Sequence, residues 1–148
     1  MTMGHEGGCL CGQVRFTIAA EPVGARMCWC RDCQRIASGS PTVNVLFPED
    51  AARFEGDMGT FRMTADSGNT VERGFCRTCG AQIYSRTVEP AGTQPIRIRA
   101  GTLDDPALVA PTAYIWAASA PSWAPFDPAL PRFVEGPGSA RMEHDHDL

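Results

Sequence analysis

Polar and apolar residues alternate with a period of two in a series of short segments. "QVRFTI" sets Val14, Phe16 and Ile18 against polar neighbours, and "PTVNVLFPE" repeats the pattern with Val43, Val45 and Phe47. A period of two puts every second side chain on one face, so each run predicts a half-buried β-strand. "ARFEGD", "GTFRMTA", "TVERGF", "AQIYSR" and "IRIRAGTL" add further short apolar runs bounded by Gly, Pro or Asp. Only "RDCQRIAS" predicts a helical turn or two, with another short turn at "DDPALV", residues 104 to 109. Beyond it, "APTAYIWAASAPSWAPFDPALPRFVEGP" is rich in proline, alanine and aromatics. Proline at that density cannot pair inside a sheet. We therefore expect an edge strand around "AYIWA" and then an irregular, packed extension carrying Trp116, Trp123, Phe126 and Phe133. These aromatics read as core and surface cover, with a minority walling a ligand pocket. From Gly136 to residue 148 a disordered tail is expected. The pattern as a whole predicts a mainly β, single-domain protein of short antiparallel strands, with its core at about residues 6 to 135.

Composition agrees with that class. The 148 residues suit one domain, 43% are apolar, and 15 glycines with 12 prolines favour turns over long helices. There are 17 acids against 13 bases, and every base is arginine. Genomic base composition accounts for a lysine-free chain, because arginine differs physically from lysine only at bidentate or stacked sites. A net charge of −4 without a basic run argues against nucleic acid as a partner. No apolar stretch approaches the ~20 residues needed to span a bilayer, so no membrane partner is expected. "MTMGHEGGCLCGQ" has neither a cationic start nor an apolar run, which leaves a cytoplasmic, soluble protein as the expectation. Homodimerisation is compatible with the sequence.

The seven cysteines change the picture. They fall into three groups: Cys9 and Cys11; Cys28, Cys30 and Cys33; Cys76 and Cys79. An odd count, spacings of one or two residues and a reducing compartment all favour metal ligation over a disulfide framework. Two knuckles of two thiolates make a closed tetrahedral zinc site. "CLCG" and "CRTCG" each place a glycine behind the pair, at Gly12 and Gly80, where positive φ lets the chain turn tightly. Cys9, Cys11, Cys76 and Cys79 are therefore assigned to a structural zinc, the alternative being buried or redox-active thiols. Cys28, Cys30 and Cys33 then have three thiolates and no obvious fourth protein partner. Catalytic zinc typically keeps three protein ligands and one open position. Asp32 would close the site only by folding back between two ligands. His5, His144 and His146 read as solvated terminal residues.

Taken in order, "GGCLCGQVRF", "CWCRDCQRIASGSP", "RFEGDMGTF", "RGFCRTCGAQIY", "RIRAGTLDD" and "PTAYIW…SWAPFDPALPRF" resemble the glutathione-dependent formaldehyde-activating family, whose fold is shared by relatives of centromere protein V. The resemblance spans about residues 6 to 133 and includes all seven cysteines. It implies tent-like antiparallel sheets around a structural zinc held by Cys9, Cys11, Cys76 and Cys79. It also implies a second, open and more labile zinc at Cys28, Cys30 and Cys33, making two zinc ions per chain. Two departures stand out. Trp29 occupies a position where the family often has histidine, and "SAPSW" lacks the lysine that often precedes the aromatic segment.

If the second zinc is three-coordinate, the thiol of a substrate is its natural fourth ligand. The expected activity is that of a carbon–sulfur lyase or synthase on the adduct of formaldehyde, or a related small aldehyde, with glutathione or another small thiol. Arg31 and Arg35 flank Cys33 and are candidates to pair with the carboxylates of glutathione, or are solvated turn residues. Ser38 and Ser40 are candidates to offer hydroxyls, or simply form the turn "ASGSP". Two other classes stay open: a non-catalytic zinc-stabilised protein-binding module, and a thiol or metal sensor.

Overall fold

The computed structural model describes residues 4–142. Among these residues twelve strands form two sheets, accompanied by one α-helix. The smaller sheet is the antiparallel triplet β1 (His5–Gly8), β2 (Arg15–Ile18) and β5 (Ala52–Glu55), in the order β1-β2-β5. The larger has nine strands. Its continuous antiparallel part is β3 (Gly24–Cys28), β4 (Thr42–Phe47), β9 (Ile96–Arg99), β8 (Gln82–Glu89), β7 (Thr70–Cys76) and β6 (Met58–Thr64), in that spatial order. On the other side of β3 lie β10 (Tyr114–Ile115), β11 (Arg132–Phe133) and β12 (Arg141–Met142). The helix α1 (Arg31–Ile36) follows β3 directly.

The predicted alternation decides which side chains meet. Val14, Phe16 and Ile18 from the small sheet's side pack against Val45, Phe47, Ile83, Tyr84, Ile96 and Ile98 of the large sheet, in one buried cluster. Most of these are essentially inaccessible to water. Burial of a side chain of this size stabilises by roughly 1.5–3 kcal/mol, so this cluster is the principal source of cohesion. Beside it Glu72, 3% exposed, accepts from Tyr84 Oη at 2.7 Å, Arg86 Nε at 2.9 Å and Arg62 Nε at 3.0 Å. Burial alone would raise its carboxyl, but these donors outweigh it and hold it below the usual range.

Several expectations need correction. "HEGG" forms β1, although two glycines gave it no strand signal. Gly7 is required there for space: a Cβ would lie 2.3 Å from the Phe16 ring and 2.2 Å from the Thr102 carbonyl oxygen. His5 is thus a strand residue, its Nε2 3.5 Å from Glu21, and not a solvated terminus. "AYIWA" is not an edge: β10 runs parallel to both β3 and β11 and lies between them. Its two residues avoid the flanking prolines, which is how a proline-rich segment enters a sheet interior. Residues 136–142 are not a disordered tail, since Val134 N–H donates to the Ala140 carbonyl and β12 pairs with β11. The remainder of the expected tail, with His144 and His146, lies outside the described residues.

Candidate metal and substrate site

Two sulfur clusters stand apart, one packed against the core and one beside a cavity on the large sheet's other face. At the first, the turn after β1 and the turn after β7 face each other. Cys9 Sγ lies 3.6 Å from Cys11 Sγ, and Cys11 Sγ lies 3.8 Å from Cys76 Sγ. All four sulfurs of Cys9, Cys11, Cys76 and Cys79 fall within 4.8 Å of one another. A tetrahedron with ~2.3 Å zinc–sulfur bonds has edges of about 3.8 Å, so this donor set fits zinc in both chemistry and spacing. Backbone N–H groups already aim at the sulfurs: Val14 at Cys9 (3.2 Å), and Thr78 and Cys79 at Cys76 (3.3 and 3.4 Å). Gly12 and Gly80 have φ of +85° and +77°, the left-handed turns expected behind each pair. Burial opposes ionisation of Cys9, yet Val14 N–H and the neighbouring thiols pull it down to about 6, while Cys11 is pushed up to about 11. Crowded thiols that ionise in turn need a cation to ionise together.

The second cluster is made by one strand end and one helix. Cys28 closes β3, Cys30 caps α1 with its sulfur accepting from Cys33 N–H at 3.3 Å, and Cys33 sits in the first turn. Their three sulfurs also lie within 4.8 Å of one another. Among the described residues no histidine, aspartate or glutamate joins them. Asp32 turns instead toward Arg73, at 3.8 Å. Cys33 is held well below the ordinary thiol range by hydrogen bonds from Cys28, Cys30 and Thr42 and by the charge of Arg99. Sharing with Cys30 and Cys33, together with burial, pushes Cys28 up. Three soft donors converging from one side fit a zinc ion with one coordination position left to the solvent side.

That side is a cavity of about 300 Å³. Cys28, Cys30 and Cys33 line one end, and Trp116 and Ile115 stand beside them. Trp116 adopts left-handed backbone, φ 54°, which is rare for an aromatic residue and recurs at ligand sites. Four arginines also line it: Arg26 on β3, Arg73 on β7, and Arg97 and Arg99 on β9. In "IRIR" the isoleucines point into the core, so the alternate arginines must face the other way, toward the sulfurs.

None of Arg31, Arg35, Ser38 and Ser40 lines this cavity. Arg31 is exposed and donates to Gln34 Oε1, Ser38 and Ser40 are exposed, and Ser38 takes φ 61° in the turn after α1. Arg35 is exposed beside a separate apolar groove with Phe61, Met63 and Phe75. Proximity to Cys33 in sequence points to Arg31 and Arg35, whereas strand register brings Arg26, Arg73, Arg97 and Arg99 to the cavity. The pattern signals only Arg97 and Arg99, which alternate with the core isoleucines of "IRIR"; Arg73 shares its strand face with Val71 and gives no such signal. Gln34, 5% exposed, was missed as well; its Nε2 donates to the Trp29 carbonyl at 2.7 Å and to the Ser119 carbonyl at 3.0 Å, tying α1 to the C-terminal segment.

Comparison with known proteins decides the family. The model of the family described as "Glutathione-dependent formaldehyde-activating enzyme" matches residues 4–119, well over half of the chain. The chain belongs to this family. A crystal structure of a Rhodobacter sphaeroides protein shares the fold, with a TM-score of 0.54 and 18% identity over 68% of this chain and 88% of that one. No curated protein matches the chain. No helix among the described residues is long and apolar enough to cross a membrane.

Against this family, the Trp29 departure has a structural explanation. Trp29 is 1% exposed and points away from the sulfurs, packing with Tyr114, Ala117 and Phe126, the last at 5.8 Å between ring centroids. It anchors the C-terminal segment beneath the site and takes no part in the cavity. Trp29→Ala should cost about 3–5 kcal/mol through the void it leaves. In thermal unfolding this variant is expected to melt well below the parent while keeping its bound metal; an unchanged melting temperature would contradict the anchoring role.

Proposed function

We propose that the protein is a zinc-dependent carbon–sulfur lyase and synthase acting on the adduct of a small thiol, glutathione being the family's, with formaldehyde or a related small aldehyde. Zinc identity, the division into a structural and a catalytic ion, and the reaction itself belong to this reading. The observation that carries it is the three-sulfur cluster with no fourth protein donor among the described residues, opening onto a cavity walled by arginines. A closed structural site would have no reason to keep that side free.

Cys28, Cys30 and Cys33 would hold the zinc, whose positive charge would keep an incoming thiol ionised at neutral pH. The chain's own residues do the rest. The cavity arginines take the carboxylates of the thiol compound and fix its sulfur at the open side of the cluster, an orientation effect. Trp116 and Ile115 give the aldehyde an apolar wall and keep bulk water from that side. In the synthetic direction a carbon–sulfur bond forms between the thiolate and the carbonyl carbon, and the thiol proton ends on the carbonyl oxygen. The reverse breaks the same bond and returns the proton to sulfur. Among the described residues the cavity lining holds no histidine or carboxylate, so the proton travels through solvent.

Native mass spectrometry and exchange NMR together test the reading. The purified chain is expected to carry two zinc ions, and to speed exchange between glutathione, formaldehyde and their hydroxymethyl adduct above the uncatalysed rate. Two bound zinc ions with no acceleration for glutathione or another small thiol would refute the enzyme and favour a zinc-stabilised binding module.

A further inference from the structure

The arginines of the cavity are set by strand register. Arg26 pairs with Asn44, and Asn44 with Arg99, across β3, β4 and β9. On the neighbouring rung Arg97 pairs with Ser85, and Ser85 with Arg73, across β9, β8 and β7. Two rungs of one sheet face thus carry four guanidinium groups into a single cavity. Arg73 and Arg99 are each 8% exposed.

Their partners do not balance their charge. Arg99 Nη1 donates to Asn44 Oδ1 at 2.6 Å, and Arg97 donates from Nε to Ser85 Oγ at 2.8 Å and from Nη2 to Thr87 Oγ1 at 3.5 Å, all neutral acceptors. Asp32, 3.8 Å from Arg73, supplies a carboxylate from outside the lining. Arg26 Nε, Arg73 Nε and Nη1, and Arg99 Nε have no partner at all. Four guanidinium charges meet one aspartate and, with a divalent ion bound, one net negative charge from the three thiolates. The balance is a surplus of two positive charges in a largely buried space. Burial and the charges of Arg26, Arg99 and Arg73 push Arg97 down to about 10, as expected where like charges lack counter-ions. Such an arrangement is costly unless an anion supplies what is missing.

We infer that this site takes a small thiol carrying a dianionic head group and no ammonium, in preference to glutathione. The inference rests on the thiol-activating reading above and narrows its substrate. Glutathione carries its two carboxylates at opposite ends and an ammonium beside one of them. Among the described residues the lining offers that ammonium no carboxylate, and it would stand among four guanidiniums. A vicinal dicarboxylate or a phosphate monoester instead concentrates two negative charges, and each can accept forked donation from two arginines.

Isothermal titration of the zinc-loaded protein tests this with mercaptosuccinate, glutathione and neutral 2-mercaptoethanol, and with the thiol-free dianions succinate and inorganic phosphate. Mercaptosuccinate is expected to bind at least tenfold more tightly than glutathione, with affinity falling as salt rises. In Arg97→Gln the ratio of mercaptosuccinate to 2-mercaptoethanol affinity should drop about tenfold. Its melting temperature should hold or rise, because a like charge has been removed; a purely structural arginine would lower it. Arg26→Gln provides the same comparison if the first variant does not fold. Succinate binding without phosphate binding identifies a dicarboxylate head group, and the converse a phosphate. Mercaptosuccinate no tighter than glutathione where succinate binds, or neither dianion bound, overturns the inference. Dianions that bind while 2-mercaptoethanol does not would uphold the anion site and instead overturn the thiol-activating reading.

Discussion

Cys79→Ser is expected to abolish the cooperative fold. Structural zinc contributes apparent binding free energies of about 10–16 kcal/mol in small metal-stabilised domains, against total stabilities of about 5–15 kcal/mol. On the proposed assignment the metal contribution is therefore comparable to the whole net stability of the domain. Cys79 is the informative position because it is only half-buried, whereas Cys76 is fully enclosed in the core and its replacement would add a packing effect. Serine nearly matches cysteine in size, so the loss at position 79 reports the ligand and little besides. The four sulfurs join the turns after β1 and β7, which belong to different sheets. On that assignment, loss of the ion would remove a clamp between the two sheets and leave crowded thiols in its place. Circular dichroism in the near ultraviolet should lose its native bands, and zinc analysis should find the metal gone from this site. A folded variant melting within a few degrees of the parent would show that these four thiols are not a structural centre.

Cys30→Ser is expected to do the opposite: preserve the fold and remove the chemistry. The Cys30 sulfur caps α1 by accepting from Cys33 N–H, and a serine hydroxyl serves that capping role at least as well. The core lies on the far side of the sheet, among Val45, Phe47, Ile96 and Ile98, and does not involve this residue. Two remaining thiolates cannot hold a catalytic zinc with the affinity of three. The variant should carry one zinc by native mass spectrometry, melt close to the parent, and lose at least a hundredfold in thiol-dependent exchange. Were it as poorly folded as Cys79→Ser, both ions would be structural and the open-site reading would fail. The two substitutions change the same element in the same way in the two separate clusters, so the contrast between them isolates position.

The strands with clean alternation were legible in advance, from "QVRFTI" to "IRIRAGTL". Those built on glycine or sheltered among prolines were not. "HEGG" becomes β1 because Gly7 lets the Phe16 ring and the Thr102 carbonyl come close, a contact with residues distant in the chain. β10 enters the sheet interior because β3 offers it a free edge, and no local propensity encodes that. The direction of Trp29 was equally hidden. It lies between two cysteines that face the cavity, and only the packing of Phe126 and Tyr114 draws it the other way.

The sequence by itself determined the class of fold and the three local groups of cysteines. Both are local matters: a period of two sets strand faces, and ligands one or two residues apart must share a turn, whatever the rest of the chain does. The tertiary structure alone decided what surrounds the open cluster. Arg26, Arg73, Arg97 and Arg99 come from three strands that meet only through the order and register of the sheet. Register is the outcome of many side chains packing at once, so the charge that faces the substrate is a property of the assembled sheet and of no segment within it.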